Sequence, residues 1–168
     1  MKTMYIKLTK IDINKSHIFM NGNVDNNYNY NINLAAKAFK IPEVLSLLDS
    51  QIVPNNLSEQ LVYFKNINGD FDFDINANTK GINGKINLNK LSFKLVPFCD
   101  LPILLNQGKV TFDNNVIHLK GFKGYYNNKS ANKMDFEGSV NDYLKSVDTD
   151  LVGNAVVTND FSSNYLSK

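Results

Sequence analysis

The chain contains no arginine and no tryptophan, one cysteine, four prolines and no long apolar run. Without arginine it lacks the side chain that grips phosphate or guanine through two hydrogen bonds. Its net charge is only +2, so a nucleic-acid partner is not expected. Cys99 alone cannot make an intrachain disulfide, and within Pro97-Phe98-Cys99-Asp100-Leu101 it reads as a small buried apolar residue rather than a nucleophile. No stretch reaches the roughly 18 apolar residues of a membrane-crossing helix. The opening Met1-Lys2-Thr3-Met4-Tyr5-Ile6-Lys7-Leu8 alternates polar and apolar residues where a secretion signal would be continuously apolar. Either a cytosolic protein or a piece of a longer chain is expected from this.

Catalytic equipment is equally sparse. Only His17 and His118 offer imidazoles, and strand parity turns His118 away from the apolar side of Ile117 and Leu119. There is no nucleophile elbow, phosphate-binding loop or dinucleotide fingerprint, so an enzyme is not expected, and neither a metal nor a cofactor. Asp70, Asp72 and Asp74 imitate the start of a calcium loop but lack its glycine and its distal glutamate. On a strand they share the solvated face opposite Phe71 and Phe73. Sequons at Asn14, Asn56 and Asn128 carry little information in a chain where about one residue in six is asparagine. Lys120-Gly121-Phe122-Lys123-Gly124-Tyr125-Tyr126 interleaves basic and aromatic residues as an oligonucleotide platform does, yet fits a strand end running into a turn better.

What is present is alternation with a period of two. It runs through Tyr28-x-Tyr30-x-Ile32-x-Leu34, Phe71-x-Phe73-x-Ile75-x-Ala77, Ile86-x-Leu88, Val110-x-Phe112, Ile117-x-Leu119 and Met134-x-Phe136-x-Gly138-x-Val140, and again from Val147 to Val157. Each such stretch predicts a half-buried strand with its apolar side chains on one face. Glycine recurs beside these strands in Asn21-Gly22, Asn68-Gly69, Asn83-Gly84, Gln107-Gly108 and Glu137-Gly138, and more loosely in Val152-Gly153. Such glycines belong either to hairpin turns or to bends within strands, and a mixture is expected. Lys80-Gly81 and Asp113-Asn114-Asn115 are the clearer turns. Two short helices are predicted, near residues 41–50, where Pro42 suits the first helical position, and near residues 58–64, behind a Ser58 cap. Val96 to Pro102 interrupts the sheet without marking a domain boundary. So much one-faced apolar β surface must be covered by a second sheet or left open to a ligand, since two short helices cannot cover it.

The run from Asn68 to Val157, with Asn68-Gly69-Asp70-Phe71-Asp72-Phe73, Asn83-Gly84-Lys85-Ile86-Asn87-Leu88, Gln107-Gly108-Lys109-Val110-Thr111-Phe112 and Phe136-Glu137-Gly138-Ser139-Val140, resembles the AsmA/TamB/YhdP family of bacterial envelope proteins. The resemblance implies a mainly β fold: a curved, twisted antiparallel sheet forming an open, taco-like groove. Residues 1–168 would be a single β-groove segment of a longer chain. It further implies non-enzymatic lipid transport, with phospholipid acyl chains as partners. The full-length protein would lie in the periplasm, anchored in the inner membrane, and meet the inner or outer membrane through parts outside this chain. The expected groove lining is Phe71, Phe73, Ile75, Ile86, Leu88, Phe93, Val110, Phe112, Ile117, Leu119, Met134, Phe136, Val140 and Leu151. The competing expectation is a structural or adhesive β domain, a sandwich or solenoid, with a dry core and no ligand.

Overall fold

The structure, a computed structural model, describes residues 3–43, 64–96, 99–142 and 148–159. The alternating stretches form nine strands: β1 (Thr3–Ile13), β2 (Ser16–Asp25), β3 (Tyr30–Lys40), β4 (Phe64–Asn78), β5 (Gly81–Leu95), β6 (Cys99–Phe112), β7 (Val116–Tyr126), β8 (Lys133–Asn141) and β9 (Asp148–Ala155). Residues 41–43 make one helical turn at the start of the first predicted helix. The rest of that helix and residues 58–63 of the second lie outside the described residues, and Phe64 is the first residue of β4.

Each strand pairs antiparallel with the next in sequence, giving a single curved sheet in the order β1 to β9 that does not close on itself. A closed barrel or a two-sheet sandwich is thereby excluded for the described residues. The openness shows in the exposed area: the chain presents 11385 Å² to solvent, against about 8,400 Å² expected of a compact monomer of this mass.

All six strand-associated glycine pairs lie inside strands. The mixture expected from the sequence therefore resolves entirely toward positions within strands, while the turns fall at Thr79-Lys80 and at residues 113–115. Asn114 locks these two turns together: its Oδ1 accepts the Ile82 N–H at 2.7 Å and its Nδ2 donates to the Lys80 carbonyl at 2.9 Å. Gly81 makes room for this amide with a φ of 138°, in the region favoured by glycine.

Fourteen- and fifteen-residue strands are long for a globular sheet, and a line of bulges bends them. The register slips between Ala36 and Phe39 on β3, between Asp70 and Phe71 against β5, on both sides of Gln107 on β6, and between Leu119 and Phe122 on β7. These slips fall between the cross-strand row Phe73-Ile86-Val110-Leu119 and the row Leu91-Leu105-Gly124-Met134. A crease therefore crosses the sheet at one level. At its β3 end Ala38 is held at a φ of 48°, the left-handed region that costs an L-residue about 1 kcal/mol or more. Ala38 is exposed, so Ala38→Gly is expected to raise stability by about 1 kcal/mol in urea unfolding. A loss of stability would mean that the methyl group makes a contact worth more than the strain.

Candidate functional site

Directly opposed residues in a sheet share a face, and the register therefore identifies the inner one. One row runs Leu34, Ile75, Gly84, Phe112, Ile117, Val140; the next runs Ala36, Phe73, Ile86, Val110, Leu119, Gly138, Leu151. At a strand spacing of about 4.8 Å, the seven strands from β3 to β9 carry this apolar band over about 29 Å. Along β5 the inner Ile86 and Leu88 are half-buried while the intervening Lys85, Asn87 and Asn89 are exposed.

The sequence-predicted lining residues lie along this apolar face, but they are not equivalent. Phe71, Phe73, Ile75, Ile86, Leu88, Val110, Phe112, Ile117, Leu119, Met134, Phe136 and Val140 are half-buried. Phe93, 9% exposed, belongs instead to a packed cluster with Ile103, Leu105, Phe122 and Tyr126, on the far side of the crease. Leu151, 52% exposed, stands on the edge strand β9. Sequence reasoning missed Phe39, which is 2% exposed and packs its ring on Phe71 and Phe73 with centroids 5.9 and 5.6 Å away. It also missed Leu105, Phe122 and Tyr126. The signal was in the spacing: Ala36/Phe39, Leu88/Leu91, Leu105/Gly108 and Leu119/Phe122 each step by three where alternation steps by two, as an extra bulge residue requires.

The trough is thus filled at one side and open at the other. At the filled end the buried Tyr126 donates its hydroxyl proton to the Val156 carbonyl at 2.7 Å and accepts the Thr158 N–H at 3.3 Å. Thr158 Oγ1 in turn donates to Oδ1 of the buried Asn132 at 3.0 Å. This network fastens the segment after β9 to the ends of β7 and β8. Beyond the crease, toward the 79–80 and 113–115 turns, Ile75, Phe112, Ile117 and Val140 have no such cover among the described residues, and Ile82 is 40% exposed.

The outer face is polar and cross-linked. Asn76 Nδ2 donates to Oδ1 of Asn31 and of Asn33, at 2.6 and 2.8 Å, and Asn78 Nδ2 donates to Asn76 Oδ1 at 2.8 Å. Asp70 and Asp72 do more than solvate it. Asp72 accepts the Ala38 N–H at 2.9 Å, satisfying the strained residue of the crease, and Asn89 bridges both carboxylates at 2.9 and 3.1 Å. Lys40 closes the group on Asp70 at 3.0 Å.

Both carboxyls are held below the usual carboxylate range, Asp70 chiefly by the Asn89 amide and then by Lys40, Asp72 chiefly by the Ala38 N–H and then by Asn89. Being depressed on folding, they contribute stability that is fully present above the ordinary carboxylate pKa of about 3.9 and lost as pH falls through the lower folded values. The urea midpoint is therefore expected to hold from neutral pH to about 4 and to fall below it. Asp72→Asn, which keeps an acceptor for Ala38, should flatten that fall; an unaltered profile would remove Asp72 from the account.

His118 faces outward, as parity requires, in a row with Thr111, Ser139 and Asp150 that lines a depression of about 620 Å³. The serine stands between imidazole and carboxylate, so the order is not that of a hydrolytic triad, in which histidine bridges the other two. Among the described residues no three or more His, Cys, Asp or Glu side chains could hold a metal together, and no helix is long and apolar enough to cross a membrane. Compared with protein-family models, curated proteins and solved structures, the chain matches none.

Proposed function

We propose that the open half of the trough holds the acyl chains of lipids, without chemistry upon them, and that the chain acts as a lipid-carrying stretch of a cell-envelope β-groove protein. One observation carries this reading. The apolar rows through Ile75, Phe112, Ile117 and Val140 continue across the sheet at half burial, with no second sheet against them among the described residues. Soluble proteins seldom leave contiguous apolar surface of this kind unoccupied. The band of about 29 Å is long compared with the ~15 Å that one leaflet's acyl chains span, and each buried methylene contributes about 0.8 kcal/mol. A chain held by apolar burial alone, without a fixed headgroup partner, is free to slide along the rows. Envelope location and an inner-membrane anchor enter this proposal through the family resemblance alone.

Native mass spectrometry of the purified chain, with lipid extraction, tests it. Co-purifying phospholipid is expected, with loss of most of it in Phe112→Asp while circular dichroism retains the β signal. A lipid-free wild-type chain, under conditions that preserve known lipid carriers, would sink the proposal. The second reading, a ligand-free structural sheet, draws on the packed cluster of Phe93, Ile103, Leu105, Phe122 and Tyr126, and that result would favour it.

A further inference from the structure

Among the described residues, the two outermost strands differ in how they treat their unpaired edges. β1 breaks register with β2 between Ile6 and Thr9, and it carries Lys7 and Lys10. Bulges and lysines are the devices by which proteins discourage pairing at a sheet edge. β9 has neither. From Asp148 to Ala155 it pairs with β8 without a slip, and it contains no lysine or proline. All eight of its residues are exposed, including Leu151 at 52% on the inner face and Val152 at 67% on the outer, otherwise polar one. An uninterrupted, exposed edge with apolar side chains on both faces is a template for another strand.

We propose that this strand is β9 of a second copy of the chain, paired antiparallel about a two-fold axis through Val152. The strand count decides the geometry. In a meander of nine antiparallel strands β1 and β9 run the same way, so β9 beside a second copy's β1, with both inner faces on one side, makes a parallel pair. β9 beside β9 is antiparallel, keeps the inner faces together and is self-complementary, as a two-fold contact must be.

Charge then selects the register. Keeping faces matched allows only shifts of two residues in the pairing; centring on Asp150 would set that carboxylate against its own copy, and centring on Leu151 would set it against the apolar Val152, without a polar partner. Centring on Val152 sets Val152 against Val152, Leu151 against Gly153, and Asp150 against Asn154. The last pairing repeats one already present inside the chain, where Asn154 Nδ2 donates to Asp135 Oδ1 across β8 and β9 at 3.1 Å. The product is one sheet of twice nine strands whose apolar troughs run on from copy to copy, and the pairing stands whether or not the trough holds lipid.

Cysteine cross-linking reads both the contact and its register. In a Cys99→Ser background, Val152→Cys is expected to convert to a disulfide-linked dimer under mild oxidation. Asp150→Cys and Asn154→Cys should link to each other when mixed but not to themselves. Light scattering of the wild-type chain at high micromolar concentration should give twice the 19.0 kDa monomer mass, and Val152→Lys should restore the monomer. A monomeric wild type, a dimer indifferent to Val152→Lys, or equal self-linking at all three positions would each overturn the proposal. Circular dichroism of Val152→Lys keeps loss of pairing distinct from loss of fold.

Discussion

Replacing Phe122 by alanine is expected to cost about 3–5 kcal/mol of stability, measured by urea unfolding followed through circular dichroism. Phe122 is 6% exposed and lies at the crease, stacked on Phe136 with ring centroids 4.7 Å apart and planes 19° from parallel. The other side of the ring covers Gly108, where a Cβ would come within 2.5 to 2.8 Å of three ring carbons. Glycine and phenylalanine here are two halves of one packing unit, the aromatic filling the space that the glycine vacates. The coupling has a consequence that simple cavity formation lacks. Gly108→Ala should destabilise the wild-type protein but lose most of that penalty in the Phe122→Ala background, where the methyl group finds space. Strictly additive effects across this double-mutant cycle would show that the two residues do not share the space.

The second large effect is expected from Gly124→Val, which should cost about 3 kcal/mol, the upper end of overpacking penalties, or prevent folding. Gly124 sits on β7 between Leu105 and Met134, and a Cβ there would meet the Leu104 carbonyl oxygen at 2.0 Å. Unlike a side chain, that oxygen cannot rotate away, so β6 and β7 must part. Gly121, three residues earlier, supplies the control. Its φ of 63° is left-handed, but nothing lies within 4 Å of its missing Cβ. Gly121→Asn should therefore cost only about 1 kcal/mol, since asparagine tolerates that conformation better than most residues do. Equal losses at the two sites, compared by urea midpoint, would mean that backbone conformation rather than close approach dominates.

These glycines show where sequence reading reached and where it stopped. Alternation in Phe71-x-Phe73-x-Ile75 and Met134-x-Phe136-x-Gly138-x-Val140 sufficed to identify strands and their inner faces, because parity is a local property of the backbone. The pairing of Asn with Gly, however, is shared by hairpin turns and by strand bends. Only the neighbouring strand, absent from any local window, distinguishes them. The same limit hid the crease. A step of three residues from Leu88 to Leu91 looks like the end of one strand and the start of another until Leu105 and Gly108 are seen to make the same step beside it. Asp72 was read correctly as lying opposite the phenylalanines, but its bond to the Ala38 N–H spans 34 residues and no motif announces it. Of the proposed lining, Phe93 and Leu151 show what parity cannot tell: side chains on one face can be sealed in a cluster or left bare at an edge, depending on how far they stand from the crease and from the last strand.

The unbroken order of the strands also bears on how such a molecule can change over generations. Every strand takes its backbone pairing only from its sequence neighbours, so duplicating or deleting one hairpin inserts or removes about 10 Å of length while leaving the flanking registers intact. The crease imposes the one condition on this growth: an added hairpin must carry its own three-residue step at the same level, or the fold line stops there. Length is then a variable that inheritance can adjust in units of two strands, independently of the cross-section, and strand-count parity would survive every such edit.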